Sequence, residues 1–309
     1  MKVFITGASG YIGFNVARAF RRAGHEVWGL IRNAAKAGRL LKAEISPVLG
    51  NMREPESYKP IAETCGVLVH AAMEMGAEAA MLDSLTVDAL ISTAKKGACP
   101  KTFIYTSGCW VYGNTGNVLV DETSPLRPPR LVSWRPQVEQ KVLGAKEVRA
   151  LVLRPGCVYG KGQRLLSSWF SGAVSGSLLV TGGLNRWAMV HVDDLAQGYL
   201  RAAESGFSGQ IFNLTDQSRW TVQEVVEAIA AAANYKTHIN YVQVSDAVSR
   251  MGDIAECLAL DQNIDSAKAR GMLGWVPRHR GFCDEAGLYL HSWQSWKATE
   301  EEAGLIAKA

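Results

Sequence analysis

The chain predicts an α/β fold, a doubly wound parallel sheet with a smaller, mainly helical C-terminal lobe. Three observations carry this. Strand-like and helix-like segments alternate through the first 160 residues, which signals a parallel sheet. The strand segments are apolar along their whole length, as strands covered on both faces must be. The first 32 residues run strand, glycine turn, helix, strand.

Lys2 to Thr6 (KVFIT) is a short β-branched run. Gly7-Ala8-Ser9-Gly10-Tyr11-Ile12-Gly13 follows at once, then a helix with apolar Val16, Ala17 and Phe20, and a break at Gly24. Glu26 to Ile31 is the second strand, ending at Arg32. Glycines at a strand-to-helix corner let the backbone approach a pyrophosphate, and the helix N-terminus offers amide donors and a favourable dipole. The segment therefore reads as a Rossmann-type dinucleotide site. An acidic residue at the end of the second strand would accept hydrogen bonds from the adenosine ribose; here stand Ile31 and Arg32, with Lys36 and Arg39 behind. A guanidinium clamps a 2′-phosphate, so NADP(H) is expected over NAD(H).

Further along, helices are expected over 34–41, 56–64, 79–96 and 137–144, and strands over 45–49, 67–70, 102–106 and 150–154, the last stopping at Pro155. Ligands of such sheets lie at the carboxyl ends of strands, so chemistry is expected from 71–75, 107–113 and 155–160. Beyond 160 the rhythm becomes irregular. A helix opens at Val190-His-Val-Asp-Asp-Leu195, capped by one of the aspartates; Ile211–Leu214 is a strand; Thr221, with Glu224 placed for a capping box, starts a helix to about Ala233. The expected division is a dinucleotide-binding domain over 1–160, rejoined by 188–232, and a substrate lobe from 161–187 and 233–309. The charged run 297–302 reads as a solvated helix.

Bulk properties narrow the function. The 309 residues are 48% hydrophobic and 20% charged, ordinary for a globular α/β protein. A net charge of +4 is too small and scattered for nucleic acid. Six cysteines (65, 99, 109, 157, 257, 283) show no metal-ligand spacing, so no metal is expected and reduced thiols in a cytoplasmic setting are. With a strand starting at residue 2, no leader is expected on this chain. No apolar run approaches the roughly 18 residues that span a bilayer, so no membrane partner is expected.

The residues then resemble one family. Thr6-Gly-Ala-Ser-Gly-Tyr-Ile-Gly13, Val69-His-Ala-Ala72, Tyr105-Thr-Ser-Gly-Cys-Trp-Val-Tyr-Gly113, Leu153-Arg-Pro-Gly-Cys-Val-Tyr-Gly160, Val190–Leu195, Phe212-Asn-Leu214 and Ala269-Arg-Gly-Met-Leu-Gly-Trp275 are similar, in order, to the extended short-chain dehydrogenase/reductases, the NAD-dependent epimerase/dehydratase-like group. The resemblance implies cofactor contacts at Gly7, Ser9, Gly10, Tyr11, Ile12 and Arg32, then Asn51 and Met52, Ala71, Ala72 and Met73, Arg135, Pro155 and Val158. It also implies a homodimer built on helices around 77–97 and 131–146.

The family's Ser, Tyr and Lys are altered here. No Tyr-x-x-x-Lys occurs; aligning Glu139 with the family's helix glutamate puts Leu131 and Arg135 in the tyrosine and lysine columns, and Gly108 falls in the serine column between Ser107 and Cys109. Trp134-Arg135-Pro136 resembles the atypical branch, which keeps the cofactor fold without the tyrosine. Arg135 stays cationic and is expected to anchor the ribose and polarise a substrate oxygen, or else to pair with Glu139 at i,i+4. Ser107 is expected to donate to a carbonyl, and Tyr112 or Tyr159 to replace the lost proton donor. Glu74 is an unusual charge expected near the nicotinamide end, a general base if buried. His70 and His191 read as core histidines.

Cys109, Trp110, Trp134, Tyr159 and Trp187 are expected to line the substrate pocket, together with Met73, Met75 and Trp169. Only Lys161, Arg164 and Arg186 are cationic between 161 and 190, which favours a small, mostly apolar carbonyl or alcohol over a nucleotide sugar. The leading expectation is an NADP(H)-dependent oxidoreductase. A non-redox isomerase, epimerase or dehydratase retaining the cofactor, and an inactive NADP(H)-binding sensor or scaffold, stay open beside it.

Overall fold

The computed structural model describes residues 1–97, 99–162 and 165–306, with side chains up to 299; Arg164 and the side chains of 300–302 lie outside the described residues. The strands in chain order are β1 Lys2–Thr6, β2 Glu26–Ile31, β3 Ser46–Leu49, β4 Val67–His70, β5 Thr102–Thr106, β6 Arg149–Pro155, β7 Cys157–Tyr159, β8 Leu179–Thr181, β9 Met189–His191, β10 Gln210–Leu214 and β11 Asn240–Val242. Seven of them form one sheet in the order β10-β6-β5-β4-β1-β2-β3. Every pairing in it is parallel. The chain starts in the middle, winds outward through β2 and β3, then returns to wind the other way, which leaves a crevice where the order reverses, at the ends of β1 and β4.

Alternation along each strand sorts side chains to two faces. Val3, Ile5, Val69, Ile104 and Leu153 pack with Phe14, Phe20 and Leu195 from helices Tyr11–Arg22 and Val192–Glu204. Phe4, Leu68, Phe103, Tyr105 and Val152 pack with Leu90, Ile91 and Val142 from helices Ala79–Ala94 and Arg135–Leu143. A third cluster joins Phe170, Trp169 and Trp187 to Val225 and Ile229 of helix Val222–Ala232 and to Tyr289 and Trp293 of helix Ala286–Ile306. Within 188–232, helix Val192–Glu204 and β10 therefore pack with the main sheet, and helix Val222–Ala232 packs with the third cluster. Conversely, Ala269 and Leu273 of helix Ala267–Leu273 belong to the first cluster.

Several element limits differ from expectation. The 34–41 segment is a 3-10 turn, Ala34–Lys36, followed by helix Ala37–Leu41, and 56–64 likewise splits into Pro55–Ser57 and Lys59–Glu63. The helix expected from 137 begins at Arg135 with Pro136 in its first turn, where the missing N–H costs nothing. The Thr221–Glu224 capping box is present. The helix after β9 is capped by His191, not by an aspartate: its ring nitrogen Nδ1 accepts the Asp193 N–H at 3.2 Å.

Arg154 of β6 and Glu139 of helix Arg135–Leu143 form a buried bidentate pair, 3.0 Å through Nε and 2.5 Å through Nη2. Arg154 also donates to the Tyr112 hydroxyl at 2.7 Å, and Tyr112 donates to Asn213 Oδ1 in β10 at 2.8 Å. This network crosses from the helix layer to the sheet edge. Removing one partner strands a charge, so Glu139→Ala should cost about 3–5 kcal/mol in urea unfolding; a loss under about 1 kcal/mol would refute the network's role. Burial, with His279 stacked on it at 3.4 Å, pushes the His191 imidazole down to about 4 from 6.5. Between those values the unfolded chain binds the proton that the folded ring refuses. Stability should therefore fall by about 2–3 kcal/mol as pH drops from 6.5 to 4. Comparing the urea midpoints of wild type and His191→Gln across that range isolates the contribution, and parallel curves would disprove it.

Candidate active site

The exits of β1, β4 and β5 build the crevice. After Thr6 the chain turns through Gly7, whose φ of +70° suits glycine. A Cβ there would lie 2.8 Å from Ala71 O and from the Ala72 backbone, and a Cβ on Gly13 would lie 2.3 Å from Gly7 O. The loop is thus pressed between the β4 exit and the first turn of its own helix. Gly10 is the N-cap and no side chain caps the helix, so its first amides are left for an anion. Ser9 is half-buried and Gly10 exposed at this mouth, with Ile12 half-buried behind. The Tyr11 phenol donates to Gly160 O after β7. Burial, with Asp193 and Tyr289 nearby, raises its pKa well above the ordinary value.

A buried hydrogen-bond chain holds these exits together. The Thr6 hydroxyl meets His70 Nδ1 at 2.6 Å, His70 Nε2 meets Asp83 Oδ1 at 3.1 Å, and the Tyr105 hydroxyl donates to Asp83 Oδ2 at 2.9 Å. Ala72 N–H reaches Thr6 Oγ1 at 3.4 Å. His70 is a core histidine with partners on both nitrogens.

At the outer end, Arg32 is exposed and ion-paired to Glu74. Glu74 thus reaches across to the β2 exit and is paired to a cation there, which speaks against the general-base expectation. Arg39 lies over the Phe14 ring at 3.9 Å. Asn51 and buried Met52 follow β3, where Asn51 Oδ1 accepts the Arg53 N–H at 3.1 Å.

At the inner end, Arg135 is 6% exposed, and its guanidinium donates to Thr106 O at 2.7 Å and to Met73 Sδ at 3.3 Å. Among the described residues no carboxylate lies within ion-pair range of it, because Glu139 belongs to Arg154. The i,i+4 pairing expected as the alternative for Arg135 is overturned. Ser107, just after β5, is buried with its N–H on Leu153 O at 2.8 Å and its hydroxyl without a hydrogen-bond partner among the described residues. Pro155 pairs with Leu214, and Val158 is half-buried beside the first cluster. The structure thus gathers Gly7, Gly10, Ala71, Ala72, Met73, Thr106 and Arg135 around one crevice.

Other candidates are removed by what holds them. Tyr112 spends its proton on Asn213, and burial pushes its pKa up, so it is withdrawn as a proton donor. Tyr159 is fully buried among His191, Phe282 and Tyr289, inside the third cluster rather than on a pocket wall. Trp187 is stacked on Trp169 at 4.8 Å and donates to Leu258 O at 2.9 Å, again interior. Cys109 is buried with its thiol on Arg154 O at 3.2 Å, and burial raises its pKa, so it is packing. Trp110 and Trp134 are half-buried, and Arg135 stands 5.0 Å from the Trp134 ring. Met73 and Met75 are exposed.

Residues that the sequence did not single out also shape the site. Gln262 donates to Cys109 O at 2.8 Å and Gly113 O at 3.0 Å, fixing the loop after Ser107 from a distant segment. Tyr199 shares a 2.7 Å hydrogen bond with the Thr106 hydroxyl. Neither has a local signal, since each partner is far away in sequence. His191, Asp193 and His279 bring ligand-type atoms within 4.8 Å of one another, but His191 Nδ1 accepts the Asp193 N–H, His279 Nδ1 meets Asp194 Oδ2 at 2.9 Å, and Lys161 pairs with Asp193.

Comparison with known proteins agrees with this geometry. The chain is 27% identical over 268 residues to a 4-hydroxy-2-methyl-3-oxo-4-farnesyl-3,4-dihydroquinoline-1-oxide ketoreductase of Stigmatella aurantiaca, covering 82% of this chain and 80% of the relative. In fold it is similar to the Bacillus anthracis dTDP-glucose 4,6-dehydratase solved with NAD (TM-score 0.81, 19% identity, 96% and 97% covered). It is likewise similar to the human epimerase family protein SDR39U1 solved with NADPH (TM-score 0.79, 18% identity, 94% and 99% covered). The family model described as "NAD dependent epimerase/dehydratase family" matches residues 3–215, the stretch that carries the glycine loop, the buried Thr6–His70–Asp83 chain and β10. The protein belongs to the NAD-dependent epimerase/dehydratase family, within the extended short-chain dehydrogenase/reductase class.

Proposed function

We propose that the protein is an NADP(H)-dependent oxidoreductase acting on a small, mostly apolar carbonyl or alcohol. One observation carries the reading. A buried guanidinium, Arg135, has no carboxylate partner among the described residues and lies at the inner end of a glycine cradle that a Cβ would fill. A buried cation without a counter-charge is costly to keep, and an anionic or developing negative group supplied by ligands would offset that cost.

The residues present fit a dinucleotide. Gly7, Ser9, Gly10, Tyr11 and Ile12 would hold the pyrophosphate by their amides; Arg32 would take the adenosine 2′-phosphate; Asn51 and Met52 would border the adenine. Ala71, Ala72, Met73, Pro155 and Val158 would enclose the inner half. When bound, the nicotinamide would supply or accept the hydride. Arg135 holds the ribose side and places positive charge beside the substrate oxygen, stabilising an alkoxide as it develops. The Ser107 hydroxyl, with no hydrogen-bond partner among the described residues, donates a hydrogen bond to that oxygen, and water in the cleft supplies the proton that completes the alcohol.

Trp110, Trp134, Met73 and Met75 give the cleft an apolar wall. The farnesyl-bearing ketone in the name of the ketoreductase relative supports the same substrate class. The pieces are those of a small-molecule enzyme, and no helix among the described residues is long and apolar enough to cross a membrane. Exposed Met81 and Leu85 on helix Ala79–Ala94 leave an apolar face for a homodimer. Six free thiols suit a cytoplasmic site.

Fluorescence titration should show NADPH binding more tightly than NADH, and Gly13→Ala should abolish both, because its methyl would displace Gly7 O. In a panel of aldehydes, ketones and enones followed at the reduced-nicotinamide band, Arg135→Met should lower kcat about 10²–10³-fold and Ser107→Ala about 10²-fold. The same Arg135→Met change should stabilise the cofactor-free protein by about 1 kcal/mol or more, because it removes an uncompensated charge. Tight NADPH binding with no turnover on any substrate would replace this reading with that of a sensor.

A further inference from the structure

The strand order places β1 between β4 and β2, with β3 beyond. A segment leaving β4 and touching the exits of β2 and β3 must therefore pass over the β1 exit, which is the glycine loop. Residues 71–78 do this. Ala71 and Ala72 press on Gly7, and the segment turns at Gly76, whose φ is +100°. Two ion pairs then fasten it across the groove. Glu74 holds Arg32 after β2, and Glu78 holds Arg53 after β3 in a bidentate pair at 3.1 and 2.5 Å.

The two sides of the first pair differ. The Arg32 side chain is 63% exposed and the Glu74 side chain 24% exposed. The carboxylate is the more buried member, seated on a segment packed against the loop, and the guanidinium is the more exposed one. The Glu78 hydrogen bond and charge raise the Arg53 pKa, and the Glu74 charge adds to that in the same direction. The guanidinium that the cofactor reading assigns to a 2′-phosphate is thus already occupied by a carboxylate.

The geometry points to Glu74 as the residue that sets discrimination between the two cofactors, by holding Arg32 against a 2′-phosphate. This rests on the NADP(H) reading above. A dianionic phosphate entering beside Arg32 must take that guanidinium from Glu74 and lie next to the displaced carboxylate. A 2′-hydroxyl makes no such demand, and the pair stays closed beneath it. The margin between NADPH and NADH is then the attraction of Arg32 less the competition of Glu74, narrower than Arg32 alone would give.

The test is the dissociation constant of NADPH and of NADH, by fluorescence or calorimetry, for wild type, Glu74→Gln, Glu74→Asp and Arg32→Gln. Each is measured in about 50 and 500 mM salt, with thermal melts to confirm folding. Glu74→Gln should bind NADPH about tenfold more tightly at low salt and NADH within twofold of wild type, and high salt should shrink the gain. Glu74→Asp, which keeps the charge, should return to near the wild-type ratio, and Arg32→Gln should lose the preference for NADPH. Neutralising Glu74 without any change in the NADPH-to-NADH ratio, or with weaker NADPH binding, overturns this inference while leaving the cofactor reading intact. Wild type binding neither nucleotide sinks the cofactor reading itself.

Discussion

The hydrogen bonds from Thr6 through His70 and Asp83 to Tyr105 are the constraint on which the rest of the crevice depends. A parallel sheet fixes the spacing of strands but leaves their carboxyl ends as free loops. Here three neighbouring strands and the helix behind them are tied at that end by side chains that are almost wholly buried. Each polar atom in the chain meets a partner, so burial sharpens the geometry instead of opposing it. The glycine loop starts one residue after Thr6, and Ala71 one residue after His70. The close contact of Gly7 with the β4 exit is a direct result.

Two buried arginines show how much a partner matters. Arg154 has the Glu139 carboxylate and the Tyr112 hydroxyl, and its role is to join layers. Arg135, four residues before Glu139 on the same helix, has a carbonyl, a thioether and the Trp134 ring, and no carboxylate among the described residues. The first is a closed structural contact; the second keeps donors in reserve. The same helix thus supplies the fold with an anion and the cleft with a cation, and the two do not neutralise each other because Arg154 reaches the anion first.

Most of the main sheet was legible in the sequence because its determinants are local. Apolar runs such as Val67–His70 have no polar face to offer solvent, and the glycines at 7, 10 and 13 mark a corner that other residues would block. Where the determinants are distant, local signals misled. Glu139 four residues after Arg135 fits a helical ion pair, yet a strand arginine takes it. Trp187 and Tyr159 carry the residue types of a pocket wall, but aromatic side chains give the same signal in an interior, and these two belong to the third buried cluster. Glu74 follows β4, yet its partner comes from the far side of β1, a matter of strand order that spacing along the chain does not reveal.

The placement of β10 has a consequence for how the molecule is made. The chain leaves the main sheet after β6, builds β8 and its helix elsewhere, and only then returns to lay Gln210–Leu214 against Leu151–Pro155. Until those residues emerge during synthesis, the hydrophobic edge of β6 lacks its neighbour, and an open strand edge invites pairing with another nascent chain. The main sheet is therefore complete only once residues 210–214 have been made. Its vulnerable interval on the ribosome is set by the length of that excursion rather than by any property of the finished structure.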